Sequence, residues 1–331
     1  MSDPFLQLKK ITDELLSPST DYFHIRQAVH SLKDLFCEAT GFDLNAKENQ
    51  QHISTDTGLA VSPYAAAFCI TDMLRTRNFL LGIKEAIHVK LKENPDRPVI
   101  VLYAGTGPFA TLLTPLTTVY NPSQLQLVLM DINPISIEHL QKVIQQLNMA
   151  SYIIDVVEAD ALSYIIPEMH QPDILVSETM KPGLHKEPQV SIVANLLSQC
   201  NRHPFLIPEL ITVEACLIGN IANDSNAIIT LQTLLELDAA TALSIRNNPA
   251  DVPAFVNGIE IQISEKPADP YKRLGLKTTI TVFNHHRLHF NESSLTVRHV
   301  LMNLEEIKKF PARLLFKYKM ENEPGFIVTE L

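Results

Sequence analysis

The run VIVLYAGTGPFATLL carries an apolar, strand-like stretch into the turn Gly105-Thr106-Gly107-Pro108-Phe109 and then reads as helical. Gly105 and Gly107 let the backbone approach a ligand that any side chain would hold off. Phe109 stands where a dinucleotide fingerprint has its third glycine, and the Gly-Lys-Ser/Thr ending of a phosphate loop is absent. The turn therefore does not require a phosphorylated ligand, and by itself it is equally a tight turn of any α/β protein. Asp131 closes the next apolar run, LQLVLMD. It falls within the roughly 20 to 30 residues after the turn at which such folds place an acid for ribose hydroxyls. One carboxylate can accept from both hydroxyls of an adenosine ribose. Asp160 closes a third run, VVEAD, where it could accept from an adenine amino group while Ala161 offers its backbone N–H. The competing reading of both acids is a turn or helix cap.

These residues need a sheet to carry them. PVIVLYAG, LQLVLMDI, YIIDVVEAD, PDILVSE and ELITVEACLIG are strand candidates. Their unbroken apolarity predicts strands buried on both faces, hence a largely parallel sheet covered by helices. The crossover helices are read at FATLLTPLTTVYN, PISIEHLQKVIQQLN and PQVSIVANLLSQC. Residues 1–95 read as helical, with Asp3 and Asp21 at helix starts, Gly41 as a stop, a polar loop over 45–58 and one long helix from Ser62. Beyond about 220 the segments TTITVFNHHRLHF and RLLFKYKMENEPGFIVTEL alternate as antiparallel strands do, with one helix over ITLQTLLELDAATALS. The expected fold class is α/β: a Rossmann-like sheet over 96–219, preceded by a helical segment over 1–95 and followed by a smaller β-rich region over 220–331.

Composition narrows the partners. With 37 acidic and 27 basic residues the formal charge is -10, which opposes a nucleic-acid backbone or an anionic membrane as main partner and suits a cationic ligand. The four cysteines, Cys37, Cys69, Cys200 and Cys216, form no C-x-x-C pair, so no disulfide framework or structural zinc site is expected. No apolar run approaches the length of a membrane span, and the chain reads as a soluble, cytoplasmic protein. No metal site is expected either: His285, His286 and His289 lie in a strand-like segment with no carboxylate or cysteine at matching spacing.

The order VLYAGTGPF, LVLMDINP, VVEADA, PDILVSE resembles the class I S-adenosylmethionine-dependent methyltransferases over about residues 95 to 219. In PDILVSETMKPGLHKEPQ, Glu178 closes the fourth strand and Glu187 lies nine residues on, similar to the double-glutamate hairpin of the protein arginine methyltransferases. Asp72-Met73-Leu74-Arg75-Thr76 is similar to that family's D-x-x-R-T helix, and Gly107-Pro108-Phe109 to its branch that makes symmetric dimethylarginine. The resemblance implies S-adenosyl-L-methionine as cofactor, held by Arg75, Tyr103, Gly105, Thr106, Gly107, Asp131, Ile132, Asp160 and Ala161. It implies Glu178 and Glu187 as the catalytic pair, a small-molecule or peptide acceptor that is cationic, and a homodimer as one possible assembly. The N-terminal helices would close over the cofactor as a lid, bringing Arg75 and Tyr64 to it.

Methyl transfer from a sulfonium requires an in-line approach of a lone pair, so the protein's work is positioning and electrostatics. Two glutamates can clamp a guanidinium through its N–H groups. They can equally orient an amine or ring carbon with one and take a proton with the other. Each residue keeps a plainer alternative: Glu178 as a strand-end cap, Glu187 as an acid favoured by the next helix dipole, Arg75 as a charge on an exposed helical face with Asp72 and Arg77, and His185 as a loop histidine facing water. The chain departs from the family in having Thr179-Met180-Lys181-Pro182-Gly183 after the first glutamate, no tryptophan, and no Thr-His-Trp motif. A lysine at 181 is placed to repel a guanidinium. Two further readings remain open: a C- or O-methyltransferase of small molecules, and a cofactor-binding partner subunit without activity.

Overall fold

The computed structural model describes residues 3–18, 21–55, 58–219, 227–246, 255–321 and 323–331. Helix α1 (Pro4–Leu15) starts at Asp3 and α2 (Tyr22–Thr40) at Asp21; each carboxylate accepts from a first-turn amide, those of Phe5 and Phe23, at 2.9 Å. Gly41, at φ +66°, closes α2 in the left-handed conformation that glycine adopts most readily. The expected polar loop contains the short antiparallel pair β1 (Ile53–Thr55) and β2 (Gly58–Ala60), with residues 56 and 57 outside the described ones.

The long helix expected from Ser62 is two helices, α3 (Pro63–Phe68), capped by Ser62, and α4 (Met73–Glu93). Asp72 separates them. Its ψ of 91° leaves the helical region, and its Oδ1 accepts from the Arg75 amide at 3.3 Å, so a new N-terminus forms where the apolar pattern alone would continue. Arg75 is thereby set in the first turn of α4.

The parallel sheet comprises β3 (Val99–Ala104), β4 (Leu125–Asp131), β5 (Ile153–Glu158), β6 (Ile174–Ser177) and β7 (Phe205–Ile207), with crossover helices α5 (Pro134–Gln146) and α6 (Gln189–Leu197). Its order is β5-β4-β3-β6-β7, so the chain moves outward from β3 on one side and then returns to build the other. The crevice at the carboxyl ends of β3 and its neighbours is where such sheets bind ligands. The helix expected over 109–121 does not form. Turns and a single 3-10 helix, Thr114–Thr118, take its place. Pro115 cannot donate, and the hydroxyls of Thr114, Thr117 and Thr118 bond the carbonyls of Phe109, Thr114 and Pro115 at 2.7 to 2.8 Å, competing with the helical ladder.

After β7 come β8 (Leu210–Gly219), β9 (Ile228–Leu237), α7 (Ala239–Arg246), β10 (Phe255–Ile263), β11 (Tyr271–Phe283), β12 (His286–Leu288), β13 (His299–Asn303), β14 (Ala312–Lys319) and β15 (Gly325–Glu330). They form two antiparallel sheets, β12-β11-β8-β9 with β13 also on β11, and β10-β14-β15. Two expectations are corrected here. The run over 209–219 is not a fifth parallel strand: β8 lies antiparallel between β9 and β11, and the short β7 completes the parallel sheet. The helix expected over 229–244 is mostly strand β9, in which Ile228, Ile229, Thr230 and Thr233 are β-branched and pair with β8. Among the described residues no helix is long and apolar enough to cross a membrane.

Candidate active site

The glycine turn leaves β3 and touches two other elements. Gly105 and Gly107 have φ of +81° and +59°. A Cβ on Gly105 would lie 2.5 Å from Thr179 Cγ2, and one on Gly107 would lie 2.9 Å from Ala66 Cβ, so both the backbone conformation and the close approach exclude side chains. The Gly105 and Thr106 amides donate to the Met130 carbonyl at 2.9 and 3.1 Å. Gly107 donates to Asp131 Oδ2 and Asn133 to Asp131 Oδ1, each at 2.8 Å. Asp131 is buried, and desolvation lifts its carboxyl to about 6 against the pull of these amides. A carboxylate has about four acceptor positions, so some acceptor capacity remains after the amides are served.

The loop from Glu178 to Glu187 leaves β6 and is fastened along its length. Buried Gln189, at the start of α6, accepts from Ser177 Oγ, Thr179 N and Thr179 Oγ1 at 3.2, 2.9 and 2.7 Å and donates to the Ser177 carbonyl at 2.8 Å. Gly183 donates to Thr278 Oγ1 on β11, and Tyr318 on β14 donates to the Leu184 carbonyl, both at 2.8 Å. Leu59 of β2 donates to the Lys186 carbonyl at 2.8 Å. The N-terminal segment and both antiparallel sheets thus hold the loop that carries the two glutamates.

Glu178 forms a buried ion pair with Arg75; their side chains are 5% and 10% exposed. Burial pushes the Glu178 carboxyl up while the guanidinium draws it down, and the net direction is upward. Its second oxygen, Oε1, is buried and has no hydrogen-bond partner. The Glu187 side chain is 8% exposed, with Lys181 Nζ 3.7 Å from Oε1. Burial, helped by the negative Glu178, lifts its carboxyl to about 7, with Lys181 pulling the other way.

All eleven residues singled out in the sequence, Arg75, Tyr103, Gly105, Thr106, Gly107, Asp131, Ile132, Asp160, Ala161, Glu178 and Glu187, border one cavity of about 460 Å³. Asp160 Oδ1 is taken by the Leu162 amide at 2.9 Å, as in an acid-closed turn. Arg75 is not on an exposed helical face. Tyr64 does not border the cavity but stacks on Phe68 at 5.9 Å. His185 is also absent from the lining: its Nδ1 lies 2.6 Å from the Pro182 carbonyl and its ring stacks on His299 at 4.2 Å, so it neither faces the cavity nor stands free in water. The residues the sequence reading missed are Gln189, which only its buried hydrogen bonds reveal, and the C-terminal lining Ser294, Leu295 and Val297. That segment reaches the cavity because Asp72 Oδ2 accepts from Ser293 Oγ, Ser294 N and Ser294 Oγ, each at 2.7 Å.

No family model matches the chain, and no curated protein matches it. Solved structures do. The chain is similar to the Trypanosoma brucei PRMT1 enzyme-prozyme heterotetrameric complex with AdoHcy, at 11% identity and a TM-score of 0.54, over 80% of this chain and 96% of that one. It is similar to Arabidopsis thaliana protein arginine methyltransferase 10 at 9% identity and a TM-score of 0.53, over 81% of this chain and 97% of that one. The likeness is one of fold: a parallel sheet with N-terminal helices and a C-terminal antiparallel region, similar to these two arginine methyltransferase structures.

The cavity offers, along its wall, polar atoms that have no partner within the protein. Thr106 Oγ1 and Glu178 Oε1 are both buried without a partner, and both belong to residues on its wall. Buried polar atoms of this kind ordinarily have partners, and a ligand is one source of them.

Proposed function

We propose that the protein is an S-adenosylmethionine-dependent methyltransferase that methylates a nitrogen, in an arginine guanidinium or a small amine. When bound, the cofactor supplies a methyl group activated on a sulfonium. Asp131 would accept from its ribose hydroxyls through the lone pairs its amide bonds leave, and Asp160 with Ala161 would take the adenine edge. Gly105, Thr106 and Gly107 would lie against it, with Tyr103 and Ile132 on the flanks, and Arg75 would pair with its carboxylate. That pairing competes with Glu178. Once Arg75 turns to the ligand, Glu178 is freed to orient the acceptor nitrogen.

A nitrogen that gains a methyl group must also shed a proton. Glu187, whose carboxyl is lifted to about 7, can hold that proton and pass it to solvent near neutral pH. The observation that carries the reading is the position of these two acids, both on the wall of the cavity that also holds the glycine turn and Asp131. Lys181 favours a small acceptor over a peptide arginine: beside Glu187 it offers a cation to an acceptor that carries its own carboxylate, as a free amino acid does.

The experiment is incubation with cofactor labelled in its methyl group and a panel of arginine peptides, free amino acids, small amines and aromatic acids. Label transferred to nitrogen supports the reading, and the compound labelled separates guanidinium from amine. Transfer to carbon or oxygen alone, or cofactor binding with transfer to nothing, refutes it. Glu178→Gln should abolish turnover without loss of cofactor affinity, since Arg75 then meets no competing carboxylate.

A further inference from the structure

We propose that Glu85, His285 and His286 form a binding site for a divalent transition-metal ion of the zinc, cobalt or nickel type, away from the active-site cavity. Glu85 belongs to α4, His285 to the turn between β11 and β12, and His286 to the first position of β12, about 200 residues later in the chain. Sequence spacing hides the group because its carboxylate comes from a different element.

Neighbouring residues of a regular strand point to opposite faces. Here Asn284, at φ +50°, turns the chain so that both imidazoles face the same carboxylate, with ring centroids 4.1 Å apart. His286 Nε2 and His285 Nδ1 lie 3.0 and 3.7 Å from Glu85 Oε2, and all three donor atoms lie within 4.8 Å of one another. A tetrahedral ion with bonds of about 2.0 to 2.2 Å needs its donors roughly 3.3 Å apart. The two separations from Glu85 Oε2 bracket that spacing.

The support for these donors is already built. Asn284 Nδ2 donates to Glu85 Oε1 at 2.7 Å, which orients the carboxylate and leaves Oε2 to the ion, while the Asn284 amide is held by Glu209 Oε2 at 2.9 Å. Such outer partners fix ligand orientation in metal sites. The frame beneath is close-packed: a Cβ on Gly82 of α4 would lie 2.7 Å from Val282 Cγ1 of β11. His285 is 77% exposed and gives an ion direct entry, with water completing the coordination. Two imidazoles and one carboxylate suit zinc, cobalt or nickel and disfavour magnesium or calcium, which take oxygen ligands. A bound ion would clip the helix that carries Arg75 to the C-terminal sheet.

The test uses the full chain, freed of metal by a chelator and dialysed. Zinc chloride is titrated by calorimetry, cobalt chloride by visible absorbance, and magnesium chloride serves as control. The expected result is one saturable zinc site per chain, cobalt bands of a site containing nitrogen ligands, no magnesium binding, and a melting temperature raised by zinc. His285→Ala, at an exposed position, should weaken zinc at least tenfold. Glu85→Gln with His285→Ala should leave only the background of the chain's other histidines and no zinc-dependent rise in melting temperature. Absence of saturable binding in the wild-type chain overturns the proposal, and so does zinc affinity unchanged in the double variant.

Discussion

Replacing Glu187 with Gln should stabilise the protein at neutral and alkaline pH while removing its activity. The carboxyl keeps its proton up to about 7 in the folded chain, against 4.5 for an ordinary glutamate. Between those values the folded state binds more protons than the unfolded one, so stability falls as pH rises through this window and is level beyond it. Multiplying the separation by about 1.4 kcal/mol per pH unit gives roughly 3 kcal/mol, an upper figure for the full ionisation penalty at pH 8. The attraction of Lys181 is already contained in it, since that lysine draws the carboxyl down. Gln fills the same space and cannot ionise. Urea unfolding of both proteins at intervals from pH 4.5 to 8.5 should give curves that diverge with rising pH, the variant gaining 1 to 3 kcal/mol or so at the top of the range. Parallel curves would mean that Glu187 ionises as freely folded as unfolded, and its role as a proton acceptor near neutral pH would fall with them.

Asp131, lifted to about 6 by burial, must be ionised to accept from two hydroxyls. Calorimetry with S-adenosylhomocysteine should therefore show affinity falling below pH 6, by up to about tenfold per unit, and Asp131→Asn should weaken binding and flatten that dependence. Gly105→Ala drives a Cβ to within 2.5 Å of Thr179 Cγ2 and should cost cofactor affinity at least tenfold; adding Thr179→Ser removes that methyl and should restore part of it, the strain of the positive φ remaining. Gln189→Ala deletes the four bonds that pin the start of the glutamate loop, so turnover should fall more than cofactor affinity, with roughly 2 to 3 kcal/mol lost from stability in chemical denaturation. Hydrogen exchange over residues 54–76 should slow when cofactor is added, and unaltered exchange there would limit this segment to packing.

The parallel sheet was legible where chemistry and geometry coincide. A buried strand that ends in a glycine turn or an acid, as at Gly105, Asp131 and Glu178, announces where its edge lies. Direction was not legible: β8 is as apolar as its parallel counterparts, because burial dictates residue type whichever way a neighbour runs. The threonine-rich stretch after Phe109 shows the same limit from another side. Its apolar spacing fits a helix, yet its hydroxyls and Pro115 satisfy the backbone differently. Side-chain bonds across long separations, such as Asp72 to Ser294 and Gln189 to Thr179, carry no periodic signal at all.

The way the cavity balances its charges constrains how it can work. Glu178 is matched by Arg75, Glu187 by Lys181, and Asp131 by backbone amides. Removing one member of a buried pair leaves an uncompensated charge, which is costly, so ligands must enter by exchange of partners. Under the proposed function, a carboxylate arriving at Arg75 would release Glu178, and only then would a second buried acid become available to an acceptor cation. Arg75→Ala should accordingly do more than weaken the cofactor: with its guanidinium gone, Glu178 should hold its proton to higher pH and lose its grip on a cationic acceptor. In steady-state kinetics at saturating cofactor, the acceptor's KM should therefore rise for Arg75→Ala and recover part of the way as pH is increased. An acceptor KM independent of both the substitution and pH would separate the two halves of the site and remove the exchange from the mechanism.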